Sequence, residues 1–211
     1  MTNFIPIFPL GLVVYPGEPL HLHIFEPRYR QLINECLQTG KPFGIPVVID
    51  KKISDLGTIV EVRELSKLYD DGKMDIKTRG ISVFRILEVV KEIPEKLYSG
   101  AIASHLNNFN NGSSSLMKHI IDAARKLHEY IGESKKFEKP DEELCSFDIA
   151  HHVGLTIEEE FVLLGYENEL HRQEFLKRHL DRILPVMKEM ESLKKKIKLN
   201  GHFKNLEGFN F

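Results

Sequence analysis

Two histidines and a glutamate near the start of the chain have the types and spacing that suit metal chemistry. His21 and His23 are two residues apart, and Glu26 follows them. Alternate residues of a strand point to one face, so two imidazoles and a carboxylate could form the open metal site of a hydrolase. The alternative is that both histidines lie on a half-exposed strand surface or bond to neighbouring strands. The structural interpretation is favoured, and no metal site is predicted.

Paired aspartates and the two cysteines are the other candidates for catalysis. Asp70 and Asp71 precede Gly72, where aspartate is favoured in a tight turn, so a turn is preferred over acid–base chemistry. Cys36 falls on the apolar face of a predicted helix, and Cys145 lies far along the sequence. Two free structural thiols are predicted rather than a disulfide or a nucleophile.

Motifs for nucleotide hydrolysis and for hydrolytic nucleophiles are missing from the sequence. Gly40-Lys41 is followed by proline and Gly72-Lys73 by methionine, so neither pair supplies the hydroxyl that holds magnesium in a phosphate-binding loop. No G-x-S-x-G elbow and no H-E-x-x-H helix is present. The sequence therefore predicts a protein that is not an enzyme and needs no cofactor.

The composition is typical of a chain that buries a core and has little overall charge. The 211 residues are 42% hydrophobic, and the formal net charge is −2. So small a charge provides no general attraction to nucleic acid or to an anionic membrane. No apolar run reaches about 18 residues, and the start MTNFIPIFPLG lacks the features of a signal peptide. A cytoplasmic location without membrane contact is predicted.

Short apolar runs between prolines and glycines predict a strand-rich first half. Pro19–Ile24 alternates in polarity with period two, and Asp71-Gly72 predicts a hairpin turn. Ile81–Val90 is apolar on both alternating sets, which predicts a central strand, and Leu97–Leu106 predicts another. Six or more short strands with one helix favour a strongly bent sheet or pseudo-barrel.

One helix is clearly marked within this half. Glu26 lies at its positive end, Pro27 suits its first position, and Gly40 can close it in a left-handed conformation. Apolar residues recur at helical spacing along one face, namely Tyr29, Leu32, Ile33, Cys36 and Leu37. This face is predicted to pack against the core.

A helical pattern replaces the strand pattern after Asn107. An apolar stripe ends at Gly132, Ser146 is expected to cap a short helix, and Thr156 with Glu159 has the spacing of a capping box. A long last helix follows. The predicted parts are residues 1–106, rich in strands, a linker at residues 107–115, and a helical part at residues 116–211. The C-terminal end of the helical part is basic and aromatic, with Lys194, Lys195, Lys196, Lys198, Phe203, Phe209 and Phe211.

The order of these motifs resembles the N-terminal substrate-binding domain of the Lon proteases. A PLG turn, a YPGEPL turn, FEPRY opening a helix and GKPFGIPVV appear in that order within residues 8–48. The resemblance continues in GTIVEVRELSKL, DDGKMDIKTRGISVFRILEV and TIEEEFVLLGYENELHRQEFLKRHLDRIL, and spans roughly residues 4–187. Nothing in the chain resembles the ATPase or the serine–lysine peptidase module of a complete Lon protease.

The resemblance implies an α+β fold, with a strongly bent PUA-like sheet, one helix, and a helical bundle that has a long last helix. It also implies a non-catalytic module that binds unfolded or degron-bearing polypeptides in protein quality control or proteolysis. An ATP-dependent protease is a further candidate partner. A curved sheet with an accessible edge or groove suits this role, because extended peptides dock by backbone hydrogen bonds and side-chain pockets.

The predicted peptide-binding surface is the corner where a strand turns into the first helix. Arg28 is expected to pair with carboxylates, and aromatic residues are expected to supply apolar contact. The predicted site residues are Pro16, Gly17, Phe25, Glu26, Arg28, Tyr29 and Phe43. Each also has a structural alternative as a turn, helix-end or core residue, and Arg79-Gly80, which matches an Arg-Gly pair of the family, is expected to be structural.

RNA binding is the alternative function. Lon domains resemble the small PUA-like barrel of some RNA-modification proteins, and the basic C-terminal arm could contact phosphates. Nucleic acid remains the disfavoured partner, and salt separates the two functions. Phosphate binding weakens steeply as salt concentration rises, whereas apolar peptide capture does not.

Overall fold

The computed structural model describes the backbone of residues 2–133 and 137–204 and the side chains of residues 3–133 and 137–197. The chain forms two compact units, one of Met1–Asn110 with Leu155–Glu169 and one of Asn111–Gly154 with Leu170–Phe211. The predicted boundaries at residues 106 and 115 stay a prediction. Residues 155–169, which were expected in the helical part, group with the first unit.

Six strands in the described part of the first unit form one antiparallel sheet. Its strands are β1 (Thr2–Pro6), β2 (Pro19–Ile24), β3 (Phe43–Ile49), β4 (Lys52–Leu68), β5 (Met74–Val90) and β6 (Gly100–His105). The hydrogen-bonded order is β1-β6-β5-β4-β3, and β2 also pairs with β5. The central strand predicted at Ile81–Val90 is therefore confirmed as part of β5.

Strands β4 and β5 are 17 residues long, which is longer than the short strands that the sequence predicted. Three register shifts interrupt their pairing, between Ile59 and Val60, Val62 and Glu64, and Leu65 and Lys67. Each bulge adds twist, so one long hairpin bends and its halves take part in different regions of the sheet. The predicted turn is confirmed, with Gly72 in the left-handed region at φ 78°.

The chain after β1 brings the two ends of the sheet together. Ile7 and Leu10 form parallel bridges with β3 at Gly44 and Val47. The Phe8 N–H donates to the Gly44 carbonyl at 2.8 Å, so the outer edge of β3 is paired. The predicted α+β fold with a strongly bent sheet is confirmed.

Helix α1 (Pro27–Thr39) has the predicted ends. Glu26 precedes it in extended conformation, and Gly40 closes it at φ 65° with its N–H donating to the Cys36 carbonyl at 2.9 Å. The buried face consists of Tyr29, Leu32, Ile33 and Cys36. Leu37, which was predicted on that face, is 38% exposed.

The main core of the first unit lies between α1 and the sheet. The Phe8 ring stacks on Tyr29 with centroids 3.8 Å apart. Burial of this many apolar side chains supplies most of the stabilisation that holds α1 in place. The core residues are Phe8, Val14, Ile24, Tyr29, Leu32, Ile33, Cys36, Phe43, Ile45, Val60, Met74, Ile76 and Tyr98.

The second unit is helical. It contains α2 (Ser114–Ile131), a 3-10 turn (Asp141–Glu143), α3 (Ser146–Ala150) and most of α5 (Glu169–Lys204), while α4 (Ile157–Leu164) belongs to the first unit. The capping box of α4 is confirmed, since the hydroxyl of Thr156 accepts from the Glu159 N–H and the Glu159 carboxylate accepts from the Thr156 N–H. The N-cap of α3 is Cys145, and Ser146 is its first helical residue, so that prediction was wrong by one position.

Two buried histidines hold the turn that follows α3. His128 Nε2 lies 2.7 Å from the His152 carbonyl, and His179 Nε2 lies 2.9 Å from the Val153 carbonyl. These contacts give hydrogen-bond partners to two backbone carbonyls of that turn.

The predicted linker is largely exposed. Its backbone is nevertheless held in place at Phe109, whose N–H donates to the Glu167 carbonyl at 2.8 Å. Neither Cys36 nor Cys145 is in a disulfide, as predicted. No helix within the described ranges combines the length and apolar character needed to cross a bilayer. The side chains of Lys198 and Phe203, and the whole of Phe209 and Phe211, lie outside the described part.

Candidate functional site

Three of the predicted site residues lie together at the end of β2. Phe25 is 57% exposed, and Glu26 and Arg28 are partly exposed. The Arg28 Nη2 lies 2.8 Å from the Glu26 Oε2, and the guanidinium lies 4.4 Å from the centroid of the Tyr29 ring. This ion pair engages the carboxylate and the arginine with each other, so an acidic ligand would compete with Glu26 for Arg28.

The other predicted residues do not join this patch. Tyr29 is buried and Phe43 has no exposure, so their rings belong to the core and offer no apolar contact to a ligand. Pro16 and Gly17 are half-buried and lie beyond the opposite end of β2, about 20 Å away for six residues of strand. The Gly17 N–H donates to the Gly80 carbonyl at 2.9 Å, which is a structural role in a turn.

The two candidate metal-binding histidines share a strand face, as predicted, but their partners are not a metal-ligand set. His23 Nδ1 lies 2.6 Å from Asp75 Oδ1, and Tyr69 donates its hydroxyl to Asp75 Oδ2 at 2.7 Å. The bond from His23, followed by that from Tyr69, holds the pKa of Asp75 below its usual range. Glu26 pairs with Arg28 instead. Within the described ranges, no cluster of three or more His, Cys, Asp or Glu side chains is placed to hold a metal.

A groove along β1 is the site that the sequence analysis missed. Its volume is about 530 Å³, within the range of small-molecule and peptide pockets. One wall is β1, and the opposite wall is the second half of α1 with the corner that follows it. The lining residues are Asn3, Phe4, Ile5, Pro6, Leu32, Glu35, Cys36, Thr39, Lys41, Pro42, Ile59, Tyr98 and His105.

The groove exists because β1 has a hydrogen-bonded neighbour on one side only over its described length. The Ile7 N–H donates to the Ser99 carbonyl, on the side of β6, whereas the Phe8 N–H donates to β3 on the other side. Backbone groups alternate in direction along a strand, so the N–H and C=O of Phe4 face the groove. Pro6 has no N–H, which limits the open edge to a short stretch.

The Phe4 side chain is partly available to a ligand. It is 49% exposed, and the absence of a side chain at Gly100 makes room for the ring. A Cβ added at Gly100 would lie 2.3 Å from the Phe4 ring. The ring is therefore positioned by close contact with β6 while about half of it remains open to solvent.

A charged network fixes the rim of the groove. The Glu35 carboxylate accepts hydrogen bonds from Lys96 Nζ at 2.8 Å and from the Tyr98 hydroxyl at 2.6 Å. The Lys96 and Tyr98 bonds hold the pKa of Glu35 below its usual range. Burial, together with the bond to Glu35, raises the pKa of Tyr98. Glu35 therefore stays ionised near neutral pH, with both oxygens bonded.

Cys36 lines the groove but does not have the properties of a nucleophile. Its side chain is 6% exposed, and burial raises the pKa of the thiol to about 11. The reactive form of cysteine is the thiolate, so a thiol with this pKa is inert at neutral pH. What the groove offers is apolar side chains and a short open strand edge.

The chain is similar in sequence to part of a larger protein. The chain is 30% identical over 105 aligned residues to a LON peptidase N-terminal domain and RING finger protein of Schizosaccharomyces pombe, an alignment that covers 41% of this chain and 21% of that protein. The chain thus spans about a fifth of the length of this relative. The activity of the whole relative is not carried over.

Two solved structures have the same fold. A Lon N-terminal domain protein from Xanthomonas campestris superposes with a TM-score of 0.62 at 21% identity, covering 83% of this chain and 98% of that one. The N-terminal domain of a Mycobacterium avium complex Lon protease superposes with a TM-score of 0.59 at 11% identity, covering 85% and 98%. At these identities the likeness concerns the fold alone.

The strongest evidence of kinship comes from the family comparison. The model of the ATP-dependent protease La (LON) substrate-binding domain matches residues 5–195, which is most of the chain and contains β2 to β6 and α1 to α4. The match also contains the groove lining apart from Asn3 and Phe4. This agrees with the order of motifs in the sequence. The chain belongs to the family of the LON substrate-binding domain.

Proposed function

We propose that this chain is a non-catalytic module that captures extended segments of unfolded or degron-bearing polypeptides in the β1 groove. The observation that carries the proposal is that, among the described residues, β1 is paired on one side only, next to an apolar groove of about 530 Å³. An added strand would gain backbone hydrogen bonds at Phe4, and its alternate side chains would enter the groove. Backbone recognition does not depend on sequence, so broad and weak binding is expected.

The position of the groove in the sheet supports this proposal. After β1, the chain at Ile7–Leu10 already pairs with β3. A peptide bound beside β1 would therefore continue this strand pairing along the neighbouring edge of β1. The lining includes Ile59 and Leu32, which suit apolar side chains. Lys41 lies on the opposite wall, where its cation would favour a peptide with a nearby carboxylate.

The predicted corner is a second, separate surface in this proposal. Its exposed members are Phe25, Glu26 and Arg28, and the buried Tyr29 and Phe43 are left out of it. An aromatic ring beside an arginine suits an acidic or aromatic segment of a substrate or of a partner protease. The proposal also includes that the protein acts as an adaptor for an ATP-dependent protease and that it is located in the cytoplasm. Both are in keeping with the family of substrate-binding domains.

Fluorescence anisotropy of labelled, unfolded casein tests the function. We expect saturable binding by the wild-type protein that competes with unlabelled unfolded polypeptide, and no cleavage of the probe on gels with or without ATP. The corner is tested with Arg28→Ala, and Arg63→Ala is a matched control because Arg63 also pairs with a nearby glutamate on the surface. Absence of binding would contradict the proposal, and cleavage would contradict its non-catalytic part.

RNA binding remains the alternative prediction. The same anisotropy assay tests it when the polypeptide probe is replaced by RNA. Lys194, Lys195 and Lys196 are exposed on α5, although Lys195 pairs with Glu191 at 2.6 Å. A single-stranded RNA probe bound through phosphates would be released steeply as salt rises. We expect the polypeptide probe to bind more tightly than RNA at physiological salt and to remain bound at high salt. Tighter binding of RNA than of the polypeptide would favour the RNA function, which was predicted from the resemblance to PUA-like barrels.

A further inference from the structure

The second half of α5 presents an apolar face that the described residues do not cover. Leu180 is fully buried, but Val186, Met190, Leu193 and Ile197 are 56%, 47%, 58% and 70% exposed. Large apolar side chains that line up on a surface mark an interaction site more often than scattered ones do. We call these four residues the α5 seam.

The spacing of the α5 seam is that of a coiled coil. Successive members are four, three and four residues apart, which is the alternation of the a and d positions of a heptad. Ile183 continues the pattern three residues earlier. An a/d seam buries its side chains by packing knobs into holes of another helix with the same repeat. The seam therefore fits a partner helix rather than an extended peptide.

The charges beside the seam are complementary to those of a second copy. With Met190 at an a position, Glu189 occupies the preceding g position and Lys194 occupies the following e position. In a parallel two-stranded coiled coil, a g residue faces the next e residue of the partner helix. Glu189 of each copy would then face Lys194 of the other, and the twofold symmetry would form this pair twice.

The neighbouring cations do not oppose this arrangement. Lys195 occupies the outer f position and pairs with Glu191 of its own helix at 2.6 Å. Lys196, at a g position, would face Gly201 of the other helix, which has no side chain. Like charges are therefore not brought face to face at the e and g positions of this segment.

We propose that residues 183–197 of α5 are a self-association face that joins two copies of this chain in a short parallel coiled coil. The seam has few layers, so association is weak and depends on concentration. Two joined copies would present two polypeptide-binding grooves, which raises the avidity for a long unfolded chain. The pairing itself does not rest on the proposed function.

Sedimentation equilibrium of the full chain tests this proposal. At about 100 μM we expect the wild-type mass to approach twice the 24.4 kDa of one chain, and to fall towards 24.4 kDa on dilution. Leu193→Glu places a charge in the seam and should keep the chain at 24.4 kDa at every concentration. Ser192→Glu is the matched control, because it adds the same charge one residue away and outside the seam, and it should behave like the wild type.

Charge exchange tests the identity of the partner and the parallel register. Glu189→Lys and Lys194→Glu should each weaken association, and the double exchange should restore it, because the pairs then re-form with reversed sign. Circular dichroism confirms that each variant keeps its helices. A wild-type protein at 24.4 kDa throughout, or a Leu193→Glu variant that associates like the wild type, would overturn the proposal. Failure of the double exchange to restore association would overturn the parallel arrangement.

Discussion

Replacing Phe4 with alanine should weaken polypeptide binding without unfolding the protein. The ring is 49% exposed in the free protein, and an aromatic side chain buries roughly 150–250 Å² when it is fully covered. A ligand in the groove can therefore cover about 100 Å² of this ring, which corresponds to at most about 2.5 kcal/mol at roughly 25 cal/mol per Å². Ordering of the ligand and incomplete coverage reduce this value.

The expected loss of binding free energy is about 1–2 kcal/mol, so the dissociation constant should rise by roughly 5- to 30-fold. Anisotropy of the labelled unfolded polypeptide measures this change directly. Phe109→Ala is the matched control, because Phe109 is 51% exposed in the same unit and does not line the groove. Thermal melts of both variants establish that they are folded.

Two results would refute the reasoning. Unchanged affinity in Phe4→Ala would mean that the ligand does not cover this ring. Equal losses in Phe4→Ala and Phe109→Ala would mean that any exposed phenylalanine contributes, so that the groove has no special role.

Three further changes test the packing and the electrostatics. Gly80→Ala should lower the free energy of unfolding by roughly 1–3 kcal/mol or more, measured by thermal melting, because its Cβ would lie 2.2 Å from the Tyr15 carbonyl oxygen. Glu35→Gln should cost up to about 1 kcal/mol at neutral pH, and the difference from wild type should vanish as the pH falls through the lowered folded-state pKa of Glu35. Phe43→Ala should cost about 3–5 kcal/mol because the side chain is fully buried, whereas Phe25→Ala should change stability by less than about 0.5 kcal/mol.

The sign of the Glu35 effect follows from the direction of its pKa shift. Its folded-state pKa is lowered, so the bonds from Lys96 and Tyr98 stabilise the protein above the unfolded-state pKa and are lost as pH falls through the folded-state pKa. A difference between variant and wild type that grew on acidification would contradict this assignment. For Gly80, the control is Gly11→Ala, where the nearest atom lies 3.9 Å from the added Cβ and a normal melt is expected.

Local signals in the sequence were sufficient for the elements whose ends depend on one or two residues. Pro27 and Gly40 define the ends of α1 because their backbone preferences act within a single turn, and Thr156 with Glu159 does the same for α4. The α+β class followed from the same patterns and from the family resemblance. The lengths of β4 and β5 could not be predicted from the sequence, because bulges keep these strands paired beyond the point where the apolar alternation breaks down.

The site was harder to predict, because it depends on residues that are distant in sequence. Phe43 follows a Gly-Lys-Pro turn and looked like part of an exposed rim, but its partners in the core come from several elements, and it is fully buried. The groove forms where β1 pairs with β6 about a hundred residues later, and no local pattern around Phe4 encodes that pairing. The proline at position 6 was the one local hint, since proline is tolerated on an edge strand.

The exchange rate of the Phe4 amide hydrogen, followed by NMR with and without saturating unfolded polypeptide, tests the central claim most directly. The Phe4 N–H faces the groove, so it should exchange rapidly in the free protein and slow by about tenfold or more when a ligand strand bonds to it. The Ile5 N–H faces β6 and should change little. An unchanged Phe4 rate, in a sample where anisotropy shows the polypeptide to be bound, would contradict capture at this strand edge.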